Sequence, residues 1–87
     1  MMRRQMRVGT RDGLHARPAA QFAARAAQWP ADVTVEKEDG TPVNAKSLLA
    51  LMTLGVRSGD TITVTASGDP AVPLLDDLQA IVTGPAD

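Results

Sequence analysis

Residues 60–66 read Asp60-Thr61-Ile62-Thr63-Val64-Thr65-Ala66. Successive side chains of a strand point to opposite faces, so Ile62, Val64 and Ala66 share one face and Thr61, Thr63 and Thr65 the other. β-Branched residues suit that geometry. One apolar face and one hydroxyl-bearing face predict a sheet covered on one side and wet on the other. This alternation belongs to antiparallel sheets, because parallel sheets are covered on both faces and read as continuous apolar runs.

Other segments repeat the pattern. Met2 to Val8 places Met2, Met6 and Val8 inward and Arg3, Gln5 and Arg7 outward, with Arg4 interrupting. Val33 to Lys37 turns Val33 and Val35 inward. Asp39-Gly40 predicts a tight hairpin, since those residues tolerate positive φ. Thr41 to Val43 is the expected return strand, confined by Pro42 to a sheet edge. Between the strands lie helices. Ala16 to Gln28 is alanine-rich, carries Pro18 in its first turn and is closed by Pro30. Ser47 to Leu54 has an N-capping serine and the stop signal Gly55. A last helix is expected to be capped by Asp69-Pro70, to bury Leu74, Leu75, Leu78, Ile81 and Val82, and to end at Gly84-Pro85. The order βαββαβα predicts an α+β open-faced sandwich.

Composition removes several function classes. At 87 residues the chain is read as one domain over residues 1–87. It has no cysteine and one histidine, which rules out disulfides, thiolate metal sites and a multi-histidine site within the chain. The net charge of −1 argues against bulk nucleic-acid binding. The only aromatics, Phe22 and Trp29, give no platform for stacked bases. Arg3, Arg4 and Arg7 are followed by no apolar core, so the N-terminus does not read as a signal peptide. No apolar run approaches membrane-spanning length. A cytoplasmic monomer without metal or cofactor is the expectation.

The single histidine falls where loop becomes helix, in Gly13-Leu14-His15-Ala16-Arg17-Pro18-Ala19. Free N–H groups and the helix dipole make such a start an anion site. Ala16 and Arg17 are the expected amide donors, since Pro18 has none. The Arg17 guanidinium adds charge suited to phosphate oxygens. The same field disfavours imidazolium, so His15 is expected to keep a free lone pair and act as a nucleophile. Gly13 lets the loop fold closely behind the ring. Taken singly, each residue has an ordinary role: a surface histidine, a solvated arginine, a first-turn proline. It is the run of seven as a whole, through what it resembles, that points to a phosphate acceptor.

That run resembles the active-site motif of the HPr family, the histidine phosphocarriers of the phosphoenolpyruvate-dependent sugar phosphotransferase system. A second stretch, Asn44-Ala45-Lys46-Ser47-Leu48-Leu49 followed by Met52, Leu54 and Gly55, resembles the regulatory serine site of the same family. The likeness covers essentially the whole chain. It implies a four-stranded antiparallel sheet with three helices on one face. It implies phosphorylation of His15 at Nδ1 by enzyme I, itself charged by phosphoenolpyruvate, and transfer to the IIA domain of a sugar permease. Arg17 would stabilise the phosphoryl group. Ser47 would match the serine that an ATP-dependent kinase modifies in some bacteria. Three departures stand out: one extra residue between His15 and Ser47, the Gly84-Pro85 end, and Leu49 where many relatives carry phenylalanine or methionine.

The short helix has more apolar residues than one buried face can use. At about 100° per residue, Leu48, Leu49 and Met52 form one side, and Leu51 and Leu54 another. The first three are expected to be partly exposed near His15 as a partner surface. A phosphate on Ser47 would be tolerated by the helix N-terminus and would place charge on that surface. The alternative to a relay is a regulatory interaction module, read through Ser47 or His15 by a catabolite regulator or belonging to a nitrogen-linked branch of phosphotransfer. A small ferredoxin-like metal or RNA binder lacks the ligands and the aromatics.

Overall fold

The structure is a computed structural model that describes residues 1–38 and 40–84. Its elements run β1 (Met2–Arg7), α1 (Ala16–Ala27), β2 (Val33–Lys37), β3 (Val43–Asn44), α2 (Leu48–Thr53), β4 (Thr61–Ala66) and α3 (Val72–Thr83). This is the expected βαββαβα order. The four strands form one sheet in the order β1-β4-β2-β3, and every pairing is antiparallel.

The alternating segments form the centre of this sheet. β4 pairs with β1 on one side, Met6 opposite Ile62, and with β2 on the other, Val35 opposite Val64. Met6, Val8, Val33, Val35, Ile62, Val64 and Ala66 are buried on one face. Arg3, Gln5, Arg7 and Thr61 are exposed on the other, with Thr63 and Thr65 partly so. The three helices therefore cover a single face. α1 packs against both α2 and α3, and α3 also packs on β1. Phe22, Ala19 and Ala26 of α1 and Leu74, Leu75, Leu78 and Val82 of α3 are sealed between helices and sheet.

Arg4, which breaks the alternation of β1, sits partly buried at the sheet edge. Its guanidinium donates to Asp76 Oδ1 at 2.7 Å and to Gln79 Oε1 at 3.0 Å, both on α3. A charged residue is tolerated on the covered face because α3 supplies its acceptors.

Three expectations need correction. Asp69 does not cap α3: that helix starts at Val72 with Ala71 as N-cap and Pro73 in its first turn. Two prolines compete for the same role, and the buried Ala71 places the helix at the later one. The return strand is Val43–Asn44, not Thr41–Val43, because pairing begins only where Val43 meets Val35. Gly40 N–H closes a turn onto the Lys37 carbonyl at 3.0 Å; Asp39, the other half of the expected Asp39-Gly40 turn, lies outside the described residues. Ile81 is only partly buried, because its side of α3 opens onto a cleft. Gly84 ends α3 at φ 79; Pro85 lies outside the described residues.

Candidate functional site

His15 is the N-cap of α1, with extended backbone at φ −75 and ψ −176, and its side chain makes no capping hydrogen bond. The first helical bond runs from Ala19 N–H to the His15 carbonyl at 3.0 Å. The amides of Ala16 and Arg17 precede that bond and have no acceptor within the helix. The first turn carries no acidic residue, so no side chain in it neutralises the positive end of the helix dipole.

The loop before His15 is held from two sides. Gly9 and Thr10 N–H both donate to the Val82 carbonyl, at 2.8 and 3.2 Å. That carbonyl lies in the last turn of α3, which has no helical donor left for it. Leu14 N–H donates to the Val56 carbonyl at 3.2 Å. Thr10, which is buried, donates from Oγ1 to the Gly13 carbonyl at 2.6 Å. Gly13 has φ 69, and a Cβ there would fall on the Val56 carbonyl oxygen and 2.7 Å from Arg57 Cα. Glycine is therefore required twice over, by conformation and by space.

The result is an open cleft of about 730 Å³, lined by Gly9, Thr10, Arg11, His15, Arg17, Pro18, Gln21 and Ile81. The His15 side chain is 42% exposed, with Nε2 4.0 Å from Asp12 Oδ2. Arg17 is exposed and enters no ion pair among the described residues. The cleft thus joins a solvent-reachable imidazole, two guanidiniums and the open end of a helix. Such a set can hold a phosphoryl-sized anion against a nitrogen nucleophile.

His15 and Arg17, which the motif places together, both line this cleft. The motif does not single out Arg11, Gln21 or Ile81, which reach the cleft from the loop, the next turn of α1 and the far end of α3. Thr10 is readable as turn chemistry, but its buried bond to Gly13 depends on the fold.

Ser47 caps α2 by accepting from Ala50 N–H on Oγ at 3.1 Å. Behind it Leu51 is fully buried, while Leu48 is 40%, Leu49 74% and Met52 47% exposed. The chain leaving α2 passes beneath Gly13, at Val56 and Arg57. An apolar patch therefore stands on α2, whose C-terminal continuation supports the His15 loop. A second depression, lined by Lys37, Glu38, Gly40, Asp60 and Thr61, lies elsewhere; Lys37 and Asp60 pair within it at 3.4 Å and cancel one another's charge.

Residues 2–83 match the family profile described as the PTS HPr component phosphorylation site. The phosphocarrier protein HPr of Streptomyces coelicolor is 40% identical over 82 residues, which span 94% of this chain and 88% of that protein. Among solved structures, the HPr of Bacillus anthracis superposes with a TM-score of 0.85 at 41% identity, covering 93% of this chain and 95% of that one. The solution structure of Crh, the Bacillus subtilis catabolite repression HPr, superposes at 0.67 with 41% identity, covering 93% and 95%. With the expected topology in place and the likeness running through both motifs, the chain belongs to the HPr phosphocarrier family of the phosphotransferase system.

Proposed function

We propose that this chain, acting as one cytoplasmic domain, is a covalent relay. It accepts a phosphoryl group on His15 Nδ1 from phosphorylated enzyme I and passes it to IIA domains of sugar permeases. The observation that carries this reading is the unbonded, half-exposed His15 side chain at an open helix start beside Arg17. An imidazole lone pair is the acceptor. The Ala16 and Arg17 amides and the Arg17 guanidinium meet the phosphoryl oxygens as charge-assisted hydrogen bonds. The groups are set before transfer, so little reorganisation accompanies it. The chain has no turnover of its own: each transfer leaves a phosphohistidine that the next partner empties. Leu48, Leu49 and Met52 are the proposed docking surface for both partners, apolar and hence indifferent to the charge that His15 gains and loses.

The test is intact-mass analysis after incubation with purified enzyme I from the same organism and phosphoenolpyruvate. The expected outcome is one acid-labile phosphate on the wild type and none on His15→Ala. A wild type left unmodified by an active enzyme I would overturn the relay.

A regulatory reading is favoured by the likeness to a catabolite repression HPr and by the position of Ser47 at the edge of the apolar patch. In it a serine kinase modifies Ser47 and the modified face is read by a catabolite regulator. Phosphorylation of Ser47 by an ATP-dependent kinase, with His15 inert to enzyme I, is the outcome that would select it.

A further inference from the structure

The two imidazole nitrogens of His15 have different tasks in the relay, and the structure gives them different neighbours. Nε2 faces the carboxylate of Asp12 at 4.0 Å, with both side chains partly exposed, at 42% and 73%. Among the described residues Asp12 is the one carboxylate within ion-pair reach of the ring. The other charges around the cleft, Arg11 and Arg17, are cationic; α1 adds the neutral Gln21, and α3 adds the apolar Ile81. At 4.0 Å the contact is electrostatic, not a hydrogen bond.

We infer that Asp12 is a positioning residue that keeps the imidazole proton on Nε2 and so leaves the lone pair on Nδ1. Which ring nitrogen carries the proton is set by the acceptor the ring faces. A carboxylate facing Nε2 favours Nε2–H, and the nucleophile is then Nδ1. In the transfer the Nδ1 lone pair forms the nitrogen–phosphorus bond. The bond from phosphorus to the donor breaks, and its electron pair leaves with the donor. The proton stays on Nε2, and the positive charge the ring acquires is met by Asp12. The surrounding arginines serve the phosphoryl oxygens but would repel that charge, so the one carboxylate divides the site into an anion side and a cation side. The inference rests on the relay reading for its consequence, though not for its observable.

Asp12 is exposed, so its variants should fold. Nitrogen NMR of the His15 ring, recorded at alkaline pH where the imidazole is neutral, reads the tautomer without any partner. The expected result is a ring dominated by Nε2–H in the wild type. Asp12→Ala should raise the Nδ1–H share by roughly twofold to fivefold, the range an exposed pair supports. Asp12→Asn, which keeps an acceptor without the charge, should fall between. The rate of phosphoryl uptake from phosphorylated enzyme I should drop in the same order. Identical ring shifts in Asp12→Ala and the wild type would overturn the inference, as would shifted rings with unchanged uptake. A tautomer change in a protein that takes no phosphate would instead break the relay reading and leave the placement of the proton standing.

Discussion

Two helices of this protein start in opposite ways. At α2, Ser47 turns its hydroxyl back onto the Ala50 amide and closes the helix end. At α1, His15 occupies the same N-cap position in a similar extended conformation and leaves the end open. A side-chain cap satisfies one of the amides that every helix start exposes. Leaving them unsatisfied costs stability unless water or a ligand takes them. The loop that precedes the open start is tied down at both ends, by Val82 and by Val56. Rigidity supplied by the loop has replaced rigidity supplied by a cap, and the amides stay free for an anion.

The strongest way to break this contrast is to loosen the loop. Gly13→Ala places a side chain at φ 69 and against the Val56–Arg57 backbone. The conformation alone costs about 1–3 kcal/mol, and the collision adds to it. Thermal unfolding should show Tm lowered by roughly 10 °C or more. Phosphoryl uptake by the molecules that remain folded should fall at least about tenfold, as expected of a misplaced nucleophile. Normal uptake in a folded Gly13→Ala protein would mean that the loop does not set the site.

A smaller effect sharpens the contrast from the other side. Ser47→Ala removes a true cap and should cost about 1 kcal/mol, seen as a Tm lowered by about 5 °C. Uptake at His15 should be unchanged, because the α2 cap is structural. Ser47→Asp keeps an acceptor and so should hold Tm near the wild-type value, yet slow uptake by placing charge beside Leu48 and Leu49. Equal uptake rates for Ser47→Asp and the wild type would remove the partner surface from that helix.

The smallest effect lies in the turn that leads from α2 into β4. The Arg57 amide donates to Asp60 at 2.9 Å. That bond, assisted by Lys37 against a desolvation that works the other way, holds the Asp60 carboxyl below its ordinary value. A carboxyl lowered in the folded state contributes stability above its unfolded value, and the contribution is lost as pH falls through the folded one. Acid unfolding should therefore show a shallow loss of stability below the ordinary aspartate range. In Asp60→Asn that slope should flatten, with uptake at His15 unaffected.

The strands were legible because alternation reports directly on burial: Ile62, Val64 and Ala66 are sealed, and Thr61, Thr63 and Thr65 are not. Arg4 was the exception, and its explanation, a carboxylate and an amide on α3, sits too far along the chain for any local pattern to reveal. The start of α3 is ambiguous in the local sequence because Pro70 and Pro73 both satisfy the rule for a first turn, and only the burial of Ala71 decides between them. At the site, His15 and Arg17 lie in one motif and were readable together. Arg11 and Ile81 were not, since a cleft is a property of how elements meet. The contact between Asp12 and His15 lies between: three residues apart, yet visible only once the loop's path is fixed.

Gly9 and Thr10 share a single acceptor, Val82, which lies close to the opposite end of the described chain. The His15 loop therefore cannot be completed until the longest segment of this fold has closed. Non-local closures of this kind come late in folding and dominate its rate. A growing or partly unfolded chain would hold the motif without the geometry and would be inert to its donor. Fraying of the last turn of α3 would have the same effect in the native protein, releasing both amides at once. On the proposed relay, phosphoryl capacity in a population of this protein should then count whole folded molecules, with no half-formed carrier able to take a group it cannot pass on.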